Sequence, residues 1–422
     1  MEATMIGSLD IAAIRAQYPA FKRTHNEAPV VFFDGPAGSQ VPQRVIDASS
    51  HALGYVNANT HGEFVTALES DAMLAKAHQV MADFVGSQDP ELIAFGPNMT
   101  TMTLALSRAL SRTWGPGDEV IVTRLDHDAN VWPWVRAAQD AGATIRFIEV
   151  NHEDCTLKLE SLKAVLGPKT KHISVGAASN AVGTINPIRR IADMAHAQGA
   201  TLFVDAVHYA PHGLIDVEAW GCDFLACSAY KFFGPHVGVL WGRRELMESL
   251  DAYRVRPAGD ALPDRWMTGT QNHEGIAGAL EAVEYLADLG RVCAKQAELG
   301  RREALKHAFS AIEAHESALC QRMIQGLQAL EGVKVLGITE PARADERCPT
   351  LSITHTTLTP MTIAKHLAAE GIFVWEGNFY ALELSQTLGL EPEGMVRIGL
   401  LHYNTEAEVD RLIEALSALI ES

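Results

Sequence analysis

Short apolar runs alternate with helical stretches between about residue 90 and residue 245 of the chain. Seven runs have the length and the β-branched and apolar content of buried strands, at 92–95, 119–123, 144–150, 172–175, 201–205, 224–228 and 237–241. Apolar residues at helical spacing fill much of the intervening chain, at 102–112, 131–139 and 189–198 among others. This alternation predicts an α/β fold with a mostly parallel, seven-stranded sheet that is covered by helices and binds its ligand at the carboxyl ends of the strands.

The pattern changes after about residue 275. Helical periodicity covers 275–289 and 299–330, short strands are predicted at 333–337, 350–354, 372–375 and 395–399, and an amphipathic helix covers 406–420. These elements predict a smaller α+β domain. A helix at 11–17 is expected to pack beside it, because the chain must cross to reach a strand at 30–34. The predicted division is therefore an N-terminal segment (1–29) packed with the small domain, a large domain (30–290) and the small C-terminal domain (291–422).

Composition excludes several classes of protein. The 422 residues include 34 Lys and Arg against 52 Asp and Glu, and the formal net charge of −18 argues against a general nucleic-acid-binding protein. No apolar run approaches the ~18 residues that span a bilayer, so no membrane partner is expected. The N-terminal stretch has no basic region followed by an apolar one, so no secretory signal is expected either.

The six cysteines form no CxxC pair and show no zinc-ligand spacing with histidine. So few thiols in so long a chain indicate reduced, mostly buried residues of a cytoplasmic protein. We therefore expect no metal site and no disulfide framework.

Two charged residues stand at the ends of predicted strands, Asp205 at the end of one and Lys231 just after another. A lysine amine forms a Schiff base with the aldehyde of pyridoxal phosphate (PLP), and a carboxylate holds a proton on its pyridine nitrogen. The pair therefore predicts PLP chemistry. Taken singly, a solvated lysine and a helix-capping aspartate would account for the same two residues.

A phosphate site is predicted at the stretch FGPNMTTMTLALSRAL (95–110), which reads as a strand, a tight turn and a helix. The free N–H groups and the dipole at a helix N-terminus bind phosphate well. Asn98 or Thr100 is also a suitable helix cap, and the two roles are compatible.

The stretch SAYKFFGPHVGVLWG (228–242) resembles the lysine motif of class V aminotransferase-type PLP enzymes, and within them the cysteine desulfurases and selenocysteine lyases. Ser228, Lys231, Gly234 and Pro235 match that motif, while Tyr230 replaces the family's histidine. The similarity extends from VVFFDGPAGSQVPQRVIDA (30–48) to MVRIGLLHYNTEAEVDRL (395–412). It implies PLP as cofactor and the PLP fold type I.

The resemblance implies roles for residues that match its motifs. His127, in LDHDANVWPW, would stack on the PLP ring and move protons, and Asn180, in ASNAVGTINP, would donate a hydrogen bond to the ring oxygen O3′. His208 would contact the ring near O3′, where desulfurases commonly have glutamine. The implied phosphate contacts are the Met99 backbone, Thr100 and Ser228.

Other residues match family positions that bind the substrate or reach a second subunit. Thr270, in WMTGTQNHEG, matches a threonine that reaches the phosphate of the neighbouring subunit, although Gln271 stands where the family has proline. A homodimer is therefore implied. Arg397 would bind the α-carboxylate of an amino acid substrate in a bidentate fork. The remaining substrate-binding candidates are Ala37, Asn59 and His61.

One position departs from the desulfurase pattern. In that family a cysteine of the small domain attacks the substrate sulfur and becomes a persulfide. The matching stretch IFVWEGNFYALEL (372–384) has Tyr380 at that position, and no cysteine follows Cys348. A tyrosine cannot carry sulfane sulfur, so persulfide-based desulfuration is not expected. Tyr380 would serve as a general acid near the leaving group, or it would only fill the volume.

The family resemblance and the tyrosine at the position of the catalytic cysteine together favour a PLP-dependent lyase that eliminates a β-substituent, such as sulfur, from an amino acid. A class V aminotransferase, or an amino acid epimerase or cyclase, stays open because the superfamily includes each of these activities. A non-catalytic PLP-binding protein is the alternative from a different class.

Overall fold

The computed structural model describes residues 9–422. Residues 1–8, with the start of the predicted segment 1–29 and of the stretch considered for a secretory signal, lie outside the described residues. The helices are α1 Ile11–Ala16, α2 Gln43–Tyr55, α3 Val65–Val85, α4 Met99–Ser111, α5 Trp132–Ala141, α6 Leu159–Val165, α7 Ile188–His196, α8 Val217–Trp220, α9 Arg244–Ser249, α10 His273–Ala294, α11 Arg301–Gln328, α12 Pro360–Ala369, α13 Leu382–Thr387 and α14 Glu406–Glu421. No helix in this part of the chain is long and apolar enough to cross a membrane.

The strands follow the predicted positions closely. They are β1 Thr24–His25, β2 Ala28–Pro29, β3 Val31–Phe32, β4 Ile93–Gly96, β5 Glu119–Thr123, β6 Thr144–Ile148, β7 Thr170–Gly176, β8 Thr201–Asp205, β9 Phe224–Ser228, β10 Gly238–Gly242, β11 Val333–Leu336, β12 Thr350–His355, β13 Ile372–Phe373, β14 Trp375–Gly377 and β15 Met395–Gly399. Local chemistry sets several helix ends. Gly86, at φ +80°, ends α3 in the left-handed conformation, and a capping box of Thr405 and Glu408 begins α14.

The central sheet has seven strands in the order β4-β10-β9-β8-β7-β5-β6. Strands β6, β5, β7, β8 and β9 run parallel, and β10 is antiparallel to both of its neighbours. Helices pack on both faces, so apolar clusters lie on either side of nearly uninterrupted buried strands. The predicted α/β fold with a mostly parallel seven-stranded sheet is confirmed.

A second, four-stranded antiparallel sheet forms in the C-terminal part, in the order β11-β12-β15-β14. The single strand predicted at 372–375 is two strands. Its first part, β13, pairs in parallel with β3, and its second part, β14, pairs with β15. The chain therefore changes sheets at Val374. The pairing of β3 with β13 also sets Val31 and Phe33 in the apolar cluster of the C-terminal part. The division of the chain into domains stays a prediction.

Helix α11 connects the two parts of the molecule. Its first half, with Leu305 and Ile312, lies in the cluster under the central sheet, and its second half, with Leu319 and Leu327, lies in the C-terminal cluster. Helices α10 and α11 pack so closely that a Cβ added to Gly290 would lie 1.7 Å from the carbonyl oxygen of Ala304. Only glycine fits at this crossing.

Candidate active site

A cavity of about 450 Å³ opens at the carboxyl ends of β5, β7, β8 and β9, beside the first turn of α4. Its lining includes eight of the residues singled out in the sequence: Met99, Thr100, His127, Asn180, Asp205, His208, Ser228 and Lys231. Four further polar or aromatic residues of the lining have no ligand-binding role predicted from the sequence: Asn98, Asp126, Tyr230 and His236. The topology thus brings to one place residues that are far apart along the chain.

Lys231 sits in a 3₁₀ turn directly after β9. Its side chain is buried, and its amine donates a hydrogen bond to the carbonyl oxygen of Pro36. Burial, helped by the nearby Arg397 guanidinium and opposed by Asp205, lowers the pKa of Lys231 to about 7. A large share of the amine is therefore neutral and nucleophilic at neutral pH.

Asp205 ends β8, as the strand pattern predicts, and its Oδ1 accepts a hydrogen bond from the Val207 amide at 2.9 Å. Burial raises the pKa of Asp205 to about 6, although this amide and Lys231 favour the charged form. Asp126 lies close enough to interact with it, and burial together with the Asp205 charge raises the pKa of Asp126 to about 7. Two buried carboxyl groups therefore face one cavity.

Residues of the predicted phosphate site meet at the first turn of α4. Asn98 caps the helix by accepting from the Thr101 amide at 2.9 Å, and the Met99 amide donates to Ser228 Oγ at 2.9 Å. Gly238 allows this approach, because a Cβ there would lie 2.6 Å from the Asn98 backbone. Amides and hydroxyls thus converge at a helix N-terminus.

His127, in the cavity wall, stacks with Tyr380, which is not among the lining residues, with ring centroids 5.3 Å apart and an interplanar angle of 24°. Nδ1 of His127 accepts from the Ala129 amide at 3.0 Å. Burial and the cations Lys231 and Arg397 lower the pKa of His127 to about 4, so the imidazole is neutral. Tyr380 is 72% exposed and adopts φ +59°. The backbone amide of Asp128 donates a hydrogen bond to the Tyr380 carbonyl oxygen at 2.7 Å.

Arg397 projects from β15 toward the large sheet and is buried. Its Nη1 donates to the Asn180 carbonyl oxygen at 2.9 Å, and its guanidinium lies 4.3 Å from the centroid of the Phe379 ring. Burial lowers the pKa of Arg397 to about 9, while Asp34 favours the charged form. Asp34 and Phe379 have no role predicted from the sequence, although both lie in stretches quoted for the resemblance, because each interacts with Arg397 only through tertiary packing.

Three candidates lie elsewhere. Asn59, His61 and Thr270 line a separate cavity of about 560 Å³ and are not in the wall of the Lys231 cavity. Ala37 belongs to the tight turn that also contains Pro36, the acceptor of the Lys231 amine, and its amide donates to the Asp34 carbonyl oxygen at 2.8 Å. Ala37 is thus near the lysine, whereas the other three line a different cavity.

The residues present fit PLP. The cavity offers a nucleophilic amine, a buried carboxyl group at a strand end and a helix N-terminus for a phosphate. Three buried polar atoms of lining residues have no hydrogen-bond partner: Oδ1 of Asp126, Oδ1 of Asn180 and Nε2 of His208. Groups so deeply buried are normally paired, so they suit a polar ligand.

A doubly wound sheet with these groups at its carboxyl edge defines a PLP-dependent enzyme of fold type I. The chain belongs to the class-V aminotransferase family, whose model matches residues 31–412. The family assignment and the cofactor expected from the sequence are confirmed.

Relatives agree with this assignment. A probable cysteine desulfurase of Mycolicibacterium paratuberculosis is 31% identical over 98% of this chain, which spans 58% of that relative's length. An aminotransferase-like protein of Gibberella zeae is 31% identical over 98% of this chain and 99% of its own. The apo structure of a cysteine desulfurase from Thermococcus onnurineus is similar, with a TM-score of 0.87 and 26% identity, covering 99% of this chain and all of the other.

Proposed function

We propose that this chain is a PLP-dependent lyase that eliminates a β-substituent, such as a sulfur group, from an amino acid. The observation that carries the proposal is a cofactor cavity with its polar groups in place and a tyrosine, Tyr380, stacked on His127 of the cavity wall. None of the six cysteines, all of which the structure describes, is among the residues that line this cavity. Five are buried and the sixth, Cys293, is half-buried. In this proposal, the similarity to cysteine desulfurases lies in the cofactor site and not in a sulfur-accepting thiol.

The substrate would be held by Arg397, whose guanidinium suits an α-carboxylate because it can donate two parallel hydrogen bonds. Bound PLP would withdraw electrons from Cα of the amino acid. Lys231 would then take the Cα proton as a general base, since its lowered pKa of about 7 lies near the working pH. Asp205 would hold a proton on the pyridine nitrogen.

Elimination also requires a proton for the departing group. Tyr380 supports this step, because its exposed side chain carries a phenol and stacks against His127, a residue of the cavity wall. An aliphatic side chain at this position would offer no proton donor.

An aminotransferase is the second candidate. The similarity to the aminotransferase-like protein of Gibberella zeae, which covers almost the whole of both chains, favours it. The same cavity would support it, because Lys231 can return the proton to a different atom after removing it from Cα. The two reactions differ in product: one releases ammonia, and the other transfers the amino group to an α-keto acid.

The deciding experiment uses purified protein loaded with PLP and offered cystine, cysteine sulfoxides and other β-substituted amino acids. We expect release of pyruvate and ammonia, which Lys231→Ala abolishes. Amination of an α-keto acid acceptor without pyruvate would establish the aminotransferase instead. Absence of both reactions, together with no visible absorbance difference between the wild type and Lys231→Ala, would leave a non-catalytic PLP-binding protein.

We further propose that the chain acts as a homodimer in which Thr270 completes the partner's phosphate site. Asn59, His61 and Thr270 line their own cavity, at a distance from the Lys231 cavity. Near the cavity that Thr270 lines, α2, α3 and the chain between them expose large apolar side chains. Those more than half accessible are Leu53, Tyr55, Phe64, Val65 and Leu68. Such clustering is typical of a surface covered by a partner.

A further inference from the structure

Three buried ionisable side chains form a row that leads away from the cofactor cavity. His208, in the cavity wall, is 4% exposed, and its ring meets that of His212 edge to face, with centroids 5.3 Å apart and an angle of 65°. Nδ1 of His212 lies 2.8 Å from Oε2 of Glu316, in the middle of α11. His212 and Glu316 are 5% and 1% exposed.

We propose that His212 and Glu316 are a positioning pair that fixes the ring orientation and protonation state of His208 toward the bound cofactor. The inference rests on the proposed contact between His208 and PLP. It goes beyond that contact, because neither His212 nor Glu316 lines the cofactor cavity.

The physical basis is the hydrogen bond at Nδ1 of His212. When Glu316 is ionised, which the His212 bond favours, it can only accept there, so Nδ1 of His212 carries a proton and the tautomer of that ring is fixed. His212 then presents a fixed edge to His208. Nε2 of His208 has no partner, and burial, followed by His212, Lys231 and Arg397, holds the pKa of His208 well below its usual range. A neutral His208 can exchange a hydrogen bond with a ring oxygen of PLP.

The charged and titratable surroundings come from several elements. Those that act on His208 are His212 in its own loop, Lys231 after β9 and Arg397 on β15. His402, after β15, interacts with His212. The titratable groups that interact with Glu316 are Glu313 and Cys320 on α11, Cys348 before β12 and Tyr403 after β15. Glu316 itself has a raised pKa because of its burial, and the His212 bond opposes that rise.

Glu313 provides a matched control. It lies on α11 close to Glu316 and lines the same cavity of about 680 Å³ behind His212, but it makes no hydrogen bond to His212. Burial and the Glu316 charge raise the pKa of Glu313 to about 7. A substitution of Glu313 therefore changes charge at the same end of the row without breaking it.

The experiment has two arms on the full-length protein. In the first, imidazole ¹⁵N resonances of His208 and His212 are recorded without PLP for the wild type, Glu316→Gln and Glu313→Gln. In the second, the pH midpoint of the bound cofactor's absorbance is measured for the same chains, each once with His208 intact and once with His208→Gln. His212→Asn replaces Glu316→Gln if the latter does not fold.

We expect Glu316→Gln to move the His208 resonances and to shift the absorbance midpoint by about half a pH unit or more. Glu313→Gln leaves both nearly unchanged. In the His208→Gln background the Glu316 effect on the midpoint disappears, because it passes through His208. An unchanged His208 resonance, or an equal shift in both backgrounds, would overturn the proposal. Failure of the wild type to bind PLP would instead count against the proposed function. The resonances recorded without PLP would still show whether His212 and Glu316 act on His208.

Discussion

At the scale of single residues, burial sets protonation in the cofactor cavity more than any one partner does. It is the largest influence on Lys231, Asp205, His127 and Arg397, and it favours the neutral form of each. A lysine, an imidazole and a carboxyl group thereby titrate closer to one another than they would in water. Proton exchange among them costs less free energy as a result.

The lowered pKa of Lys231 predicts how PLP loading depends on pH. Only the neutral amine attacks the aldehyde, and the neutral form grows as pH rises through about 7. The rate of PLP incorporation by the apoprotein should therefore rise about tenfold between about pH 6 and about pH 8. Stopped-flow absorbance measures this rate directly.

Arg397→Gln should move the midpoint of that profile upward, because a cation that disfavours charged Lys231 is removed. Arg322→Gln, at an exposed ion pair with Asp410, is the matched control and should leave the midpoint in place. A loading rate that is flat across this range in the wild type would contradict the lowered pKa.

Removal of the Tyr380 hydroxyl gives a second prediction at this scale. Tyr380→Phe keeps the ring on His127 but removes the proposed acid, so kcat for elimination should fall by about 10²-fold, within the usual range for a general acid. Substrates whose leaving group needs no proton should lose less. Steady-state kinetics with a matched pair of substrates tests this. An equal loss for both leaving groups would assign Tyr380 to packing alone.

At the scale of elements, the crossing of α10 and α11 restricts the sequence most severely. A Cβ at position 290 would overlap the Ala304 carbonyl, so Gly290→Ala must push two long helices apart. We expect a loss of about 3 kcal/mol in the free energy of unfolding, at the upper end for overpacking. Denaturant titration measures it.

Gly54→Ala is the control for that substitution. Gly54 also lies in a helix, α2, but nothing stands within 4 Å of its added Cβ. Alanine is the better helix former, so stability there should stay level or rise by up to about 1 kcal/mol. A loss at Gly54 as large as that at Gly290 would show that the crossing is not the cause.

At the scale of the whole molecule, the proposed dimer can be tested through its apolar surface. Leu53→Asp or Leu68→Asp places a charge among exposed apolar side chains and should give monomers in sedimentation. Met361→Asp, at a partly exposed methionine on α12 of the C-terminal part, should leave the dimer intact. Monomers should also lose activity, since Thr270 could no longer reach a partner's cavity.

Mixing inactive chains tests the sharing of the site itself. If Thr270 acts across the dimer, re-assembled mixtures of Lys231→Ala and Thr270→Ala chains should recover about a quarter of wild-type activity, because half of the dimers then hold one intact site. No recovery in mixtures shown to contain mixed dimers would place Thr270 in the site of its own chain.

Much of the central sheet could be predicted because buried parallel strands are short, apolar and separated by helices. Asp205 and Lys231 could be predicted for the same reason, since strand ends mark the ligand edge. Asp34 and Phe379 could not, because their contacts with Arg397 depend on how distant segments pack. The split between β13 and β14 was missed because local propensity does not show that a strand changes partners.

Helix α11 has a mechanical consequence. At about 1.5 Å per residue, its 28 residues form a rod about 40 Å long whose two halves anchor in different apolar clusters. Neither cluster can melt without exposing part of the same rod. Heat should therefore unfold the chain in a single calorimetric transition. Two separate endotherms would mean that the rod breaks between Ile312 and Leu319.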